Sequence, residues 1–223
     1  MPGVVAVTTD DWPGLTPYGS VDTILVGQFP PDLLAEREAL GLDRRDEVWD
    51  GEYHMVPPHN NEHGRVEGEL HAIWRPVCRS LGLEVRIEVG VFDPAIQPLG
   101  SWCVPDVSVY RPEVGSDRGI EGSALLVVEV RSPGDDSYKK LPFYERHGVG
   151  EVLIIGRDRK WVRRWKLEAL DGDERRLVEQ PASVGDDGVE RHCLDCLPVG
   201  LRTDTSGERP RLVVETPEGD EAI

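Results

Sequence analysis

A chain of 223 residues, 39% hydrophobic and 30% charged, is long enough for one sizeable core and holds no apolar run long enough to span a bilayer. Its net charge of −17 counts against an ordinary nucleic-acid binder, whose footprint is basic. The charge is uneven: from Leu167 to Ile223, 15 acids face 6 arginines, a net of −9 that leaves −8 for the first 166 residues.

The opening Met-Pro-Gly-Val-Val-Ala-Val-Thr-Thr-Asp lacks the basic start and apolar block of a signal peptide, so a cytoplasmic protein with no membrane partner is expected. Cys78, Cys103, Cys193 and Cys196 are then expected as reduced thiols. Only the last two are close, in Cys-Leu-Asp-Cys, and no second pair completes a zinc quartet.

Residues 1–28 read as an irregular arm, with turn signals at Trp12-Pro13-Gly14 and Pro17-Tyr18-Gly19. A short helix is predicted over 32–40, after Pro30-Pro31 and before Gly41. Residues 47–58 read as two short strands around the tight Asp50-Gly51 turn, with Glu52 opening the second arm. A second helix starts near Asn60 or Asn61, and Val66, Leu70, Ile73, Trp74 and Val77 form its apolar stripe. Pro76 is expected to kink or end its last turn.

The alternation from Leu83 to Phe92 predicts one strand with a wet face, and residues 94–100 a loop. A strand over 104–110 and a loop over 111–123 follow. The strand over 124–131 is almost wholly apolar, which predicts a central strand covered on both faces. A helix opens after Ser132-Pro-Gly-Asp-Asp136 and runs to His147, closed by Gly148. Residues 151–156 form a strand and 161–167 its hairpin partner, with Trp161 and Trp165 on one face. Short strands near 176–179, 199–202 and 212–215 fill the remainder. The expected fold class is α/β (α+β): a main domain over 29–170 and an acidic, β-rich extension over 171–223.

Two of these apolar runs each carry one acid, Asp106 and Glu129. A carboxylate buried in a strand needs a partner, because its desolvation is expensive. Two such acids on neighbouring strands, with Lys139 and Lys140 nearby, suggest a divalent-cation site built for phosphate chemistry. Plainer readings stand beside this one. Asp106 can cap a turn, Glu52 can be an exposed turn residue, and either lysine can sit on a solvated helix face. His63 reads as a helix-start hydrogen-bonding residue, and Tyr144 as packing.

The ordered set Asp-Gly-Glu (50–52), His63, Pro-Asp (105–106), Val-Val-Glu-Val (127–130), Ser-Pro (132–133), Asp136-x3-Lys140-x3-Tyr144 and Gly-Val (148–149) resembles the Uma-type restriction endonuclease family of the PD-(D/E)XK nuclease superfamily. The resemblance covers roughly residues 30–170. It implies a restriction endonuclease-like core, a mixed central sheet flanked by helices, with a Mg²⁺- or Mn²⁺-dependent endonuclease site acting on DNA. Asp106, Glu129 and the Val130 carbonyl are then metal ligands, Lys140 orients or activates the attacking water, and Glu52 is an accessory acid. A homodimer is also implied, since a duplex cut takes two sites.

Two features depart from the superfamily pattern. Arg131 stands where its lysine is found, two residues after the second acid, and arginine does not act as a base near neutral pH. Pro142 lies in the helix that presents Lys140, so the helix is expected to start late with Lys140 in its first turn. Both features, with the acidity, favour two alternatives: an inactive relic serving as a binding or assembly module, and a metal-dependent hydrolase of another phosphoester.

Overall fold

The computed structural model describes residues 25–27, 29–92, 101–170 and 174–223. The expected arm therefore lies outside the described residues, save that Leu25–Gly27, expected to be irregular, form a strand. The loop expected at 94–100 also lies outside them.

In chain order the elements are β1 (Leu25–Gly27), α1 (Pro31–Ala39), β2 (Glu47–Trp49), β3 (Glu52–Met55), α2 (Asn61–Ser80), β4 (Glu84–Ile87), β5 (Val91–Phe92) and β6 (Trp102–Cys103). There follow β7 (Val107–Tyr110), β8 (Ile120–Glu121), β9 (Leu126–Arg131), a 3₁₀ turn (Ser137–Lys140), α3 (Leu141–Arg146), β10 (Glu151–Gly156) and β11 (Val162–Ala169). The chain ends with β12 (Arg175–Gln180), β13 (Ser183–Val184), β14 (Glu190–Cys193), β15 (Gly200–Asp204), β16 (Arg211–Thr216) and β17 (Gly219–Ala222).

These form an α+β architecture of three sheets: a central sheet β12-β11-β10-β9-β7-β4, a second sheet β1-β3-β2-β6-β5-β8, and a C-terminal sheet β13-β14-β15-β16-β17. The parallel pair β9 and β10 needs a crossover, which the 3₁₀ turn and α3 supply. Five of the six residues of β9 are buried, as its apolar run requires of a strand covered on both faces.

The period-two pleat sorts β9 between two cores. Leu126, Val128 and Val130 face the α2 stripe (Val66, Leu70, Trp74, Val77) and Leu201, Leu212 and Val214 of the C-terminal sheet. Val127 faces the other way, towards Trp49, Val91, Phe143, Tyr144 and Ile154. Glu129 shares that second face by parity.

Three local expectations are corrected. Of the two outcomes expected at Pro76, an end to the helix is ruled out, for α2 runs on to Ser80. Pro76 and Ala72, whose carbonyl loses its partner, are both exposed, while Trp74, Val77 and Cys78 are buried on the opposite side. Packing of that side holds the last turn, and the freed carbonyl lies on the exposed side. Leu83 to Phe92 is not one strand: Glu88 adopts a positive φ of 50°, β4 joins the central sheet and β5 the second. Ile87, which the alternation with Val85, Val89 and Val91 puts on the inward face of a single strand, is exposed. Finally, the helix expected from 137 begins as a 3₁₀ turn, with α-helical geometry only from Leu141 and Pro142 in its first turn, where a missing N–H costs nothing.

Candidate active site

Asp106 stands immediately before β7 and Glu129 lies within β9. The two strands are antiparallel, with Val107 opposite Val128. One residue further along, Asp106 and Glu129 face each other across the ladder, at the spacing of cross-strand neighbours. Both are buried, and the Val130 N–H donates to Asp106 Oδ2 at 2.5 Å.

The other oxygen, Asp106 Oδ1, lies 2.9 Å from His63 Nε2. His63 is in the first turn of α2, where its N–H is capped by the Asn60 side chain at 2.9 Å. Burial alone would raise the Asp106 pKa, but His63, His59 and the Val130 N–H outweigh it and hold the carboxyl below its ordinary value. Glu129 goes the other way. Burial, with Asp106 and Glu47 nearby, lifts it to about 8 against the pull of Lys140. Adjacent carboxyls driven apart in this fashion are a common mark of a functional site.

Lys140 completes the cluster. Its Nζ donates to Glu47 Oε1 at 2.8 Å and lies 3.1 and 3.3 Å from the Glu129 oxygens. Burial opposes its charge, but Glu129 and Glu47 prevail and hold the ammonium well above the ordinary lysine range. The Tyr144 hydroxyl donates to Glu129 Oε1. The loop that delivers Lys140 is wound around Asp135, which accepts from Ser132 N at 2.5 Å, Ser137 N at 3.1 Å and Ser137 Oγ at 2.6 Å.

Glu47, His59, His63, Asp106, Val130, Glu129 and Lys140 line one cavity of about 60 Å³, room for a few water-sized species. Three buried carboxylates (Glu47, Asp106, Glu129) meet one buried ammonium there. That surplus of hard oxygen donors fits a divalent cation such as Mg²⁺ or Mn²⁺, whose charge would favour ionised Glu129.

The family described as "Putative restriction endonuclease", Uma2, matches residues 32–215. The chain belongs to the Uma2 family. Among solved structures it is similar to a "putative nuclease belonging to DUF820" from Anabaena variabilis, with 16% identity, 63% of this chain and 79% of that chain covered, and a TM-score of 0.47. No curated protein matches.

In this Uma2 member the structure brings Asp106, Glu129, Val130 and Lys140 together, and it does not bring Glu52 to them. Glu52 opens β3 at the exposed hairpin tip, paired with Trp49. The acid that the hairpin sends inward is Glu47, which also accepts from Val104 N at 2.8 Å and Trp49 Nε1 at 3.0 Å. Its signal in the sequence is the alternation Glu47-Val48-Trp49, which puts Glu47 on the inward face of a tryptophan.

Lys139 and Lys140 point to opposite sides of the 3₁₀ turn. Lys139 is exposed and pairs with Asp136 at 2.9 Å. Arg131 leaves the cavity too, with its Nε 3.5 Å from Asp135 Oδ1 and its guanidinium over the Tyr138 ring at 5.2 Å. Tyr144, expected as packing, is both core and site contact. The cysteines are free thiols, with Cys78 and Cys103 buried and Cys193 exposed. Trp161 and Trp165 both pack in the second core.

Proposed function

We propose that this Uma2 member is a divalent-metal-dependent endonuclease that hydrolyses DNA phosphodiester bonds at the Asp106–Glu129–Lys140 cluster. The carrying observation is that three separate segments of a nuclease-family chain deliver two buried acids and a buried ammonium to one cavity.

Asp106, Glu129 and the Val130 carbonyl are the groups that would hold the cation. A bound Mg²⁺ or Mn²⁺ supplies Lewis acidity towards the phosphate and lowers the pKa of a bound water. The chain's own groups do the rest. His63 and the Val130 N–H fix both oxygens of Asp106, so the carboxylate is oriented before substrate arrives. Lys140 places a full positive charge beside Glu129, where negative charge builds up on a phosphate during attack. Glu47 and Tyr144 hold Lys140 and Glu129 in position.

With a net charge of −17, the protein is expected to bind DNA weakly without the cation. A twofold dimer would supply the two sites a double-strand cut needs, and a cytoplasmic location suits a DNA substrate.

The test is incubation with supercoiled plasmid, single-stranded circular DNA and structured RNA in Mg²⁺, Mn²⁺ or EDTA. Nicked or linear DNA is expected with either metal, none in EDTA, and none with Asp106→Asn. Metal-dependent loss of RNA alone would replace DNA as the substrate, and no cleavage of any polymer under all conditions would sink the reading.

A further inference from the structure

Around Asp106 lies a second group of ligating side chains, of which His59 and His63 line the same cavity as Glu129. His59, His63, Glu67 and Asp106 each offer one ligand atom, and these atoms lie within 4.8 Å of one another. His63 and Glu67 are one turn apart on α2, so their side chains share a face. They continue the buried stripe of Val66, Leu70 and Trp74 at its polar end. His59 comes from the loop just before the Asn60 cap, and its ring stacks on that of His63 with centroids 3.6 Å apart.

Hydrogen bonding accounts for the His63–Asp106 contact but not for the position of His59. His59 Nδ1 is 3.7 Å from Glu67 Oε2 and 3.5 Å from Glu88 Oε1, and His59 Nε2 is 3.8 Å from Asp106 Oδ1. Such separations are too long for good hydrogen bonds. An imidazole gives an ion one nitrogen. Through either His59 nitrogen an oxygen of the set, Glu67 Oε2 at 3.7 Å or Asp106 Oδ1 at 3.8 Å, lies near the spacing of about 3.4 Å between ligands on one ion with bonds of about 2.1 Å. Glu67 is buried, and its Oε1 has no hydrogen-bond partner; nor does buried His59 Nδ1. A buried carboxylate oxygen left unpaired is costly, and a cation would satisfy it.

We propose that His59, His63, Glu67 and Asp106 form a second cation site, suited to an ion that accepts imidazole nitrogen, with Zn²⁺ the best fit. Two imidazoles and two carboxylates are a Zn²⁺ donor set, whereas Mg²⁺ prefers oxygen and water. The ion replaces the proton now shared between His63 Nε2 and Asp106 Oδ1. Four protein ligands leave no open position, so its part is to fix Asp106 and the start of α2 rather than to activate water. The site shares Asp106, and the His63 that holds it, with the proposed nuclease cluster.

The test uses the full chain, stripped with chelator and dialysed against Zn²⁺, with bound metal measured per protein. Wild type is expected to retain Zn²⁺, and so is Glu129→Gln. His59→Ala and Glu67→Gln, each checked for native circular dichroism, are expected to bind it at least about tenfold more weakly. The Co²⁺-loaded wild type, which needs no variant, should show the intense visible bands of a four-coordinate site. Absence of Zn²⁺ binding, binding unchanged in both variants, or weak six-coordinate Co²⁺ bands would overturn the proposal. Loss of Zn²⁺ in Glu129→Gln alone would place the ion at the other cluster and overturn it as well. Zn²⁺ binding as expected, in a protein that cleaves no nucleic acid, would sink the nuclease reading and leave this one standing.

Discussion

The Lys140 ammonium lies 2.8 Å from Glu47 Oε1, joining residues 93 positions apart. This contact ties the β2–β3 hairpin to the loop after β9 and sets where the positive charge of the cavity sits. Glu47, not Glu52, is the hairpin acid that reaches the cavity. Glu47→Gln should slow cleavage by about 10- to 100-fold, whereas Glu52→Gln should leave the rate unchanged. Plasmid-nicking rates of the two variants check this, and a Glu52→Gln defect with normal Glu47→Gln would reverse the assignment.

The neighbouring lysines should separate just as cleanly. Lys140→Ala leaves Glu47 and Glu129 without their buried cation, and should cost about 3 kcal/mol of stability and about 10²-fold or more in rate. Lys139→Ala removes only an exposed pair with Asp136 and should fall within about 0.5 kcal/mol of wild type. Urea unfolding and single-turnover cleavage measure both.

A different buried acid is held by four hydrogen bonds within the protein. Asp46 accepts from Arg37 Nε and Nη2 at 2.9 and 2.7 Å, from Tyr53 Oη at 2.8 Å and from Val56 N at 3.0 Å. It clamps α1 to the hairpin with every partner drawn from the protein. Arg37→Ala leaves that carboxylate short of its cation and should destabilise by roughly 3 kcal/mol, with no change in metal affinity by calorimetry. A variant as stable as wild type would show that the clamp is dispensable.

Much of this site is legible in the sequence because burial of a charge is conspicuous. Glu129 sits in an unbroken apolar run, and Asp106 precedes another, so each advertises a need for a partner. The Asp136-x3-Lys140-x3-Tyr144 spacing adds the ammonium and the hydroxyl. What is not legible depends on contacts between distant segments. The alternation with Trp49 hints that Glu47 points inward, but its contacts with Val104 and Lys140 come from segments far along the chain. Glu67 lies on the α2 stripe between Val66 and Leu70, a visible oddity, but His59 belongs to no periodic pattern. The unbroken alternation of Leu83–Phe92 likewise hides the positive φ at Glu88 that passes the chain from one sheet to another.

Alkaline pH should destabilise the fold. Burial pushes the Cys78 thiol up to about 11, and burial also raises Cys103 and Tyr144 well above their ordinary values. The unfolded chain loses the Cys78 proton above about pH 8.5 while the native state keeps it. The unfolded state then binds fewer protons, so stability falls as pH rises, by up to about 1.4 kcal/mol per unit for this group until its folded pKa is passed. Urea midpoints from about pH 8 to pH 11 should decline, and less steeply in Cys78→Ala. A flat profile would contradict the burial of these groups.

The most direct test is calorimetric titration of the full chain with Mn²⁺, comparing wild type with the Asp106→Asn, Glu129→Gln double variant. Saturable binding to wild type that disappears in a double variant with native circular dichroism is the predicted result. Wild type that binds no Mn²⁺ even with a DNA oligomer present, or a double variant that binds as wild type does, would contradict a cation site at Asp106 and Glu129.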